Sequence, residues 1–336
     1  MLLFRGHCET ISLDATQAVS QKVTVSSSAS SITGCAVCAL ILFALSAGWA
    51  KTAAEDRIVV ASKIDTEGAL LGNIILELFK GHSLSVENKI QLGPTNIVRA
   101  AILAAQIDVY PEYTGNGALF FHMEEDPAWK DWGRGYSLAR RLCRERNQLV
   151  WLTPAPANNT WVIAVRKDLA ERHSLASMED FAKFLASGGR IKLAASAEFV
   201  ESPSALPAFE TTYGFRLADE QLLTLSGGNT SATLRAAAEG MSGVNAAMAY
   251  GTDGAIAELG LIALKDDKGA QIVYAPSPVV REPVFERHPE MEAWLDPVFA
   301  SLTLETLQGL NAKIAVDGQD AAAVAASYLK SKHFLP

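Results

Sequence analysis

The chain has 336 residues, of which 49% are hydrophobic and 20% are charged. This composition excludes a wholly disordered protein, and the length suggests about two domains because a single core stops growing near ~250–300 residues. The formal net charge of −8 argues against a nucleic-acid-binding protein, which would need a basic face. The six histidines lie too far apart in the sequence for a metal-binding pair on one helix, so we expect no metal site.

The first fifty residues have the features of a secretion signal. No charged residue lies between Lys22 and Lys51, and residues 36–47 form an apolar segment. Its length matches the ~7–15-residue apolar region of a signal peptide and falls short of the ~20 residues that span a bilayer. Small residues at positions 48 and 50 suit a signal peptidase. We therefore expect residues 1–50 to be a signal peptide with an over-long N-terminal region, cleaved after Ala50.

An uncleaved membrane anchor is the alternative interpretation of this segment. The region before the apolar segment is long, and it carries the acidic residues Glu9 and Asp14. N-terminal sequencing would distinguish the two, because cleavage gives a chain that starts at Lys51. Cleavage would also remove three of the four cysteines and leave Cys143, so we expect an exported protein without an intramolecular disulfide.

Short β-rich runs alternate with helical stretches from residue 57 onward. The first part predicts strands at 57–62, 88–92 and 107–110, and helices at 67–80 and 95–106. The first helix has apolar residues at helical spacing and ends at Gly81, which is typical of a C-cap. Strand–helix–strand–helix–strand predicts a βαβαβ unit and hence a parallel sheet.

The same alternation restarts at residue 160 and indicates a second α/β lobe. Strands are predicted at 160–165, 191–195, 222–225, 244–250 and 271–275, and helices at 178–186, 204–213, 230–239, 290–300, 304–313 and 321–332.

Two turn-rich segments indicate where the chain passes between the lobes. Residues 154–159 indicate the first crossing, and residues 251–254 (Gly-Thr-Asp-Gly) indicate the return. We therefore assign residues 51–157 plus 252–336 to a discontinuous first lobe and residues 158–251 to the second, joined by a two-strand hinge. This layout places a ligand cleft between the lobes, at the carboxyl ends of the strands.

Known catalytic and cofactor motifs are missing from the sequence after residue 50. It contains no G-x-S-x-G, Walker A, H-E-x-x-H or C-x-x-C pattern. Gly115 and Gly117 resemble the start of a dinucleotide-binding fingerprint, but Phe120 stands in place of the third glycine. We expect neither a cofactor nor catalysis. An exported enzyme, the alternative, would need a nucleophile–base pair that the sequence does not reveal.

Large aromatic residues stand at three predicted strand–loop junctions on the edge of the cleft, within residues 110–117, 158–161 and 248–254. Aromatic faces that converge on one point attract a quaternary ammonium by cation–π interaction, at roughly 0.5–2 kcal/mol per face. A betaine would also need hydrogen-bond donors for its carboxylate, and Lys63 and Asn116 are candidates to supply them. Ordinary packing of the aromatic residues is the alternative interpretation.

Five segments of the sequence resemble the substrate-binding proteins of osmoprotectant ABC importers, which recognise glycine betaine, choline, proline betaine or carnitine. They are SKIDTEG (62–68), DVYPEYTGNG (108–117), NNTWVIAV (158–165), AYGTDGAI (249–256) and APSPVVRE (275–282). The resemblance implies an α/β periplasmic binding protein of type II, a venus flytrap that closes on its ligand between two lobes. We expect a periplasmic monomer that delivers a quaternary-ammonium ligand to ABC permease subunits in the inner membrane.

The resemblance also implies ligand-binding residues, motif by motif. The family's aromatic-cage tyrosines fall on Tyr113, Trp161 and Tyr250. Its carboxylate-binding threonine falls on Asn116, and the lysine at the end of the first strand falls on Lys63.

Two departures from the family pattern suggest a divergent branch. The segment that commonly carries a carboxylate-clamping arginine is Glu198-Phe199-Val200-Glu201-Ser202-Pro203 and has no arginine. A further cage tyrosine expected near residues 230–239 has no counterpart. We therefore expect a weaker betaine site, or a related ligand such as a larger trimethylammonium compound. A membrane-anchored ligand sensor that uses the same cleft is the alternative function.

Overall fold

The computed structural model describes residues 57–225 and 230–335. The predicted signal peptide and its cleavage site after Ala50 lie outside these residues. No helix within the described part is both long and apolar enough to cross a membrane.

The first part of the described chain follows the predicted alternation. Strands β1 (Ile58–Lys63), β2 (Val86–Gly93), β3 (Val109–Tyr113) and β4 (Leu149–Trp151) are interspersed with helices α1 (Thr66–Gly81), α2 (Thr95–Leu103), α3 (Asn116–Phe121) and α4 (Trp132–Asn147). Helix α1 begins after Asp65, whose side chain accepts a hydrogen bond from the Gly68 N–H at 2.7 Å. Helix α4 is not among the helices predicted from the sequence, although its buried residues at 135, 139, 142 and 143 have helical spacing.

The middle and C-terminal parts complete the chain. The middle part contains β5 (Trp161–Arg166), α5 (Lys167–His173), α6 (Met178–Ala186), β6 (Leu193–Ser196), α7 (Ala197–Glu201), α8 (Leu206–Tyr213), β7 (Leu222–Leu225), α9 (Thr230–Ala238), β8 (Ala246–Tyr250), α10 (Ala255–Glu258) and β9 (Leu261–Ala263). The C-terminal part contains β10 (Pro276–Arg281), α11 (Glu282–Arg287), α12 (Met291–Ala300), α13 (Leu304–Ala315) and α14 (Ala321–Ser331).

The strands form two five-stranded mixed sheets, in the orders β2-β1-β3-β10-β4 and β7-β6-β8-β5-β9. In the first sheet β1 pairs in parallel with β2 and β3, which confirms the predicted βαβαβ unit, and β10 pairs antiparallel with β3 and β4. In the second sheet β6 pairs in parallel with β7 and β8, and β5 pairs antiparallel with β8 and β9. We call the halves built on these sheets lobe 1 and lobe 2.

Each sheet is covered by buried apolar side chains on both faces. Two core clusters contain residues of the first sheet, and two others contain residues of the second. Burial on both faces explains why β8 and the first four residues of β1 are apolar in sequence. The fold is therefore mixed α/β with a separate core in each lobe.

The chain returns to lobe 1 later than the sequence pattern predicts. We expected lobe 2 to end at residue 251, but β9 pairs antiparallel with β5 and so belongs to the second sheet. Leu261 at its start is 4% exposed, because it packs in the core that also holds Ala164 of β5. A three-residue strand is too short to show a periodic pattern.

The predicted strand at residues 271–275 is wrong, because the strand of this region is β10 and begins at Pro276. Prolines at 276 and 278 weaken the sequence signal for a strand. In the sheet Pro278 lies opposite Pro111, and β4 pairs only with residues 279–281 of β10.

Residues 264–275 instead form the second crossing segment, which hydrogen-bonds to the first crossing segment, residues 152–160. The Asn159 N–H donates to the Tyr274 carbonyl at 3.0 Å, and the Tyr274 N–H donates to Asn158 Oδ1 at 2.8 Å. The Thr160 hydroxyl donates to the Ile272 carbonyl at 2.7 Å. The two connections between the lobes thus run side by side.

The loop after β8 contacts lobe 1 directly. Gln308 and Asn311 of α13 donate hydrogen bonds to the carbonyls of Gly251 and Thr252, at 2.7 and 3.0 Å. A Cβ atom on Gly254 would lie 2.1 Å from the backbone nitrogen of Ala312. Residue 254 must therefore be glycine for the loop to approach α13 this closely.

Candidate ligand-binding site

A cavity of about 710 Å³ is lined by residues of both lobes and of the second crossing segment. All five residues that the sequence predicts for the site line it: Lys63, Tyr113, Asn116, Trp161 and Tyr250. They come together because β1 and β3 end at this cavity in lobe 1, while β5 begins and β8 ends there in lobe 2.

Lobe 2 contributes an aromatic wall formed by Trp161 and Tyr250. The two residues face each other across the antiparallel β5–β8 pair, and their ring centroids are 4.7 Å apart at an interplanar angle of 29°. Phe199 of α7 also packs against Trp161, at a centroid distance of 5.3 Å. Cross-strand aromatic pairs stabilise the pairing of neighbouring strands, so this wall is held in place without a ligand.

Lobe 1 contributes Tyr113, which is fixed by polar contacts rather than by other rings. Its hydroxyl donates to Glu67 Oε1 at 2.8 Å, and the Lys63 ammonium lies over its ring, 4.5 Å from the centroid. Burial raises the pKa of Tyr113 well above its usual value, and the neighbouring carboxylate of Glu67 adds to the shift. Tyr113 therefore remains a protonated hydrogen-bond donor.

Glu67 joins α1 to three other parts of the chain through its carboxylate, although it is not among the residues that the sequence predicts for the site. Besides Tyr113, it accepts hydrogen bonds from Asn159 Nδ2 at 3.0 Å and from Asn311 Nδ2 at 2.8 Å. Burial raises the pKa of Glu67, and hydrogen bonds from the side chains of Thr252, Tyr113 and Asn311 oppose the shift. A signal for it exists in the sequence, because Glu67 lies on the same helical face as the buried Leu70 and Leu71.

Glu112 is a second buried carboxylate and lies behind the cavity wall. Its Oε1 accepts hydrogen bonds from Lys63 Nζ at 2.5 Å, from Asn116 Nδ2 at 2.7 Å and from the Tyr113 N–H at 2.7 Å. Its Oε2 accepts one from the Tyr110 hydroxyl at 3.1 Å. The two side chains expected to hold a ligand carboxylate, Lys63 and Asn116, thus donate to a carboxylate of the protein.

Tyr274, on the second crossing segment, supplies a fourth ring to the cavity. Gly115 lies against this ring, since a Cβ atom there would be 2.8 Å from Tyr274 Cδ1. The cage tyrosine that the family pattern has near residues 230–239 is missing from this sequence, and Tyr274 provides an aromatic side chain from elsewhere in the chain. Its position between the lobes is not visible in a local sequence pattern.

The family of the chain follows from comparison with known proteins. Residues 56–331 match the family described as the substrate-binding domain of ABC-type glycine betaine transport systems, OpuAC. The chain belongs to this family. The glycine betaine-binding protein YehZ of Escherichia coli K12 is 59% identical over 279 residues, which cover 83% of this chain and 92% of the relative. A glycine-betaine-binding protein of Pseudomonas aeruginosa is 30% identical over 290 residues, covering 84% and 90%.

Solved structures agree with this assignment. The structure of apo YehZ from Escherichia coli superposes with a TM-score of 0.76 and covers 83% of this chain and 99% of that one, at 59% identity. A glycine betaine/carnitine/choline ABC transporter structure gives a TM-score of 0.73 at 20% identity, covering 83% and 100%, and so supports the fold. This OpuAC-family chain has the type II periplasmic binding protein fold, and its family consists of substrate-binding transport proteins.

The OpuAC-family chain has an acidic cavity. Four carboxyl-bearing residues line it, against one basic residue, Lys63, among the described residues: Asp65, Glu67, Glu198 and Asp253. Glu198 lies in the segment where the family pattern has its arginine, so an acid stands in this region of the cavity. Burial raises the pKa of Asp253 to about 6, and hydrogen bonds from the Tyr250 N–H and the Thr230 hydroxyl oppose the shift.

Proposed function

We propose that this protein captures a quaternary-ammonium osmolyte, such as glycine betaine or choline, between its two lobes and delivers it to an ABC permease. The observation that carries the proposal is that the rings of Trp161 and Tyr250 from lobe 2 and Tyr113 from lobe 1 line one cavity. Cation–π attraction and methyl-sized contacts are the means by which a group without N–H donors is recognised. Family membership and two glycine betaine-binding relatives support the ligand class.

The proposed ligand-binding residues are Lys63, Tyr113, Asn116, Trp161 and Tyr250. The ring residues contact the ammonium, whereas Lys63 and Asn116 shape the polar side of the cavity. The paired crossing segments act as the hinge, and the ligand stabilises the closed form by contacting both lobes at once. ATP hydrolysis belongs to another subunit of the importer, so the protein itself binds without catalysis.

The proposed location is the periplasm. Support comes from the N-terminal sequence, in which a short apolar segment precedes small residues at positions 48 and 50 that suit a signal peptidase. In this setting we propose a monomer that meets the permease in the inner membrane.

The test removes the rings one at a time. We expect Trp161→Ala and Tyr250→Ala each to weaken the binding of glycine betaine or choline by at least ~10-fold in isothermal titration calorimetry, because each removes an aromatic face. Both variants should still unfold in one cooperative thermal transition. Trp132→Ala is the matched control, since Trp132 is 41% exposed and does not line the cavity. Unchanged affinity in both cavity variants would refute the cage.

A further inference from the structure

The polar side of the cavity keeps hydrogen-bond donors that no described residue accepts. The Lys63 ammonium has three N–H groups and the Asn116 amide has two, and Glu112 accepts one hydrogen bond from each of them. Both side chains line the cavity. A ligand carboxylate can therefore accept hydrogen bonds from the remaining N–H groups while the buried pair of Lys63 and Glu112 stays intact.

The ring of Tyr274 lies next to these donors. Pro276 of β10 lies opposite Tyr113 of β3, and the same register continued by two residues beyond each strand places Tyr274 opposite Gly115. A Cβ atom on Gly115 would lie 2.8 Å from Cδ1 and from Cε1 of the Tyr274 ring. Gly115 directly precedes Asn116 in the chain. The absence of a side chain at residue 115 therefore lets the Tyr274 ring lie against the backbone that leads into Asn116.

Hydrogen bonds of the main chain fix Tyr274 at the cavity wall. Its N–H donates to Asn158 Oδ1 at 2.8 Å, and its carbonyl accepts from the Asn159 N–H at 3.0 Å. On the preceding residue, the Val273 carbonyl accepts from the Thr114 hydroxyl at 3.0 Å. The Tyr274 hydroxyl itself donates to no residue within 57–225 and 230–335. The ring is therefore held in place before a ligand arrives, with its hydroxyl available to one.

The Tyr274 hydroxyl is a neutral donor in an acidic part of the cavity. Burial raises its pKa, and the carboxylates of Glu112 and Glu198 add to the shift, so the hydroxyl stays protonated. Glu198 stands in the segment where the family pattern has its arginine, and Lys63 is the one basic residue of the described chain that lines the cavity. A ligand carboxylate therefore depends on neutral donors in addition to Lys63.

We propose that Tyr274 is a ligand-binding residue whose hydroxyl donates a hydrogen bond to the carboxylate of a betaine, together with the remaining N–H groups of Lys63 and Asn116. Tyr274 thus supplies a donor to a cavity that lacks the arginine of the family pattern. Because it lies on the second crossing segment, the ligand contacts the hinge as well as the two lobes. The proposal rests on the proposed function, since it assumes that the trimethylammonium group binds the rings of Trp161 and Tyr250.

The experiment uses Tyr274→Phe, which keeps the ring and removes only the hydroxyl. Isothermal titration calorimetry at pH 7.5 compares glycine betaine, choline and tetramethylammonium. The variant should bind glycine betaine ~10-fold or more weakly, because a hydrogen bond to a charged acceptor is lost. Choline offers a neutral hydroxyl as acceptor and should lose ~2–5-fold. Tetramethylammonium has no acceptor, so its affinity should change by less than ~2-fold.

Tyr136→Phe is the matched control. Tyr136 is half-buried like Tyr274, and its hydroxyl donates to the Trp151 carbonyl at 3.4 Å, but it does not line the cavity. This variant should bind all three compounds as the wild-type protein does.

The outcomes separate this inference from the function on which it rests. If none of the three compounds binds to wild-type protein, the proposed function fails and this inference with it. If wild-type protein binds glycine betaine and Tyr274→Phe keeps that affinity, or if it loses all three ligands equally, only the role of the Tyr274 hydroxyl is refuted.

A second pair of variants tests the hydroxyl if Tyr274→Phe does not fold. Tyr274→His keeps a ring N–H that can donate to a carboxylate, whereas Tyr274→Leu has no donor. The preference for glycine betaine over tetramethylammonium, taken as the ratio of the two Kd values, should be ~5-fold or more greater in Tyr274→His than in Tyr274→Leu. Equal ratios in the two variants would overturn the proposal.

Discussion

The two sides of the cavity are held in place by different kinds of interaction. On the lobe 1 side, Tyr113, Lys63 and Asn116 are tied to the buried carboxylates Glu67 and Glu112 by hydrogen bonds. On the lobe 2 side, the aromatic wall of Trp161 and Tyr250 is held by ring packing across two strands. Hydrogen-bond networks tolerate the loss of a member poorly, whereas packed rings tolerate similar shapes. Changes in lobe 1 should therefore cost stability, and changes in lobe 2 should mainly cost affinity.

The largest expected effect is on the lobe 1 side. Glu67→Ala removes the acceptor shared by Tyr113, Asn159 and Asn311, so each of the three loses one hydrogen bond at a buried or half-buried position. We expect the free energy of unfolding to fall by ~2–4 kcal/mol in urea denaturation. Glu77→Ala on the same helix is the control, because its partner is Lys80 at the surface, and it should cost less than ~0.5 kcal/mol. Equal effects in the two variants would show that the network is not a source of stability.

A smaller effect of opposite sign is expected at Asp253, between the two sides. Burial, with a further contribution from the nearby Asp65, raises the pKa of Asp253 to about 6, compared with ~3.9 in an unfolded chain. A raised carboxyl pKa lowers stability as the pH rises from ~4 to 6, because the unfolded chain ionises first. Asp253→Asn should therefore stabilise the protein by ~1–3 kcal/mol at pH 8 and by much less at pH 4.5.

Thermal unfolding at both pH values checks this expectation. Tyr250 is the other titratable group that interacts with Asp253, and its own pKa is raised by burial to a value far above this pH range. Asp267→Asn serves as the control, since Asp267 is exposed and does not line the cavity. A gain of the same size at pH 4.5 would contradict the role of ionisation.

The smallest expected effect tests the tolerance of the aromatic wall. Trp161→Phe keeps a ring opposite Tyr250, so the affinity for tetramethylammonium should fall by only ~2–5-fold. The free energy of unfolding should change by less than ~1 kcal/mol, measured in the same urea titration as for Glu67→Ala. A loss of binding as complete as in Trp161→Ala would show that lobe 2 requires one particular ring.

The sequence predicts most of the fold where the signals are local. The parallel unit β1–β3 follows from alternating apolar runs, and α6 starts and ends where predicted because Ser177 caps it. Strands β9 and β10 could not be predicted, because one has three residues and the other contains two prolines. Both are strands because neighbouring strands pair with them.

The candidate site, like the fold, is predicted from the sequence only in part. Family motifs bring Lys63, Tyr113, Asn116, Trp161 and Tyr250 to one cavity without reference to a structure. The partners of these residues are not deducible from sequence, since Glu67 and Asn311 lie 244 positions apart. Hydrogen bonds over such separations depend on the packing of α1 against α13. The hydrogen bond from Lys63 to Glu112 belongs to this second kind of information.

The contact between Gly254 and α13 has a consequence for transport. The loop at Gly254 lies so close to α13 of lobe 1 that a methyl group would not fit between them. The distance between this loop and α13 therefore depends on how far the two lobes have closed. In Gly254→Ala the added methyl group would clash with the α13 backbone and hold the lobes apart, while the aromatic wall of lobe 2 would stay intact. Such a protein would contact its ligand through lobe 2 alone, so it would not reach the closed form that the permease receives, and uptake by cells would fail.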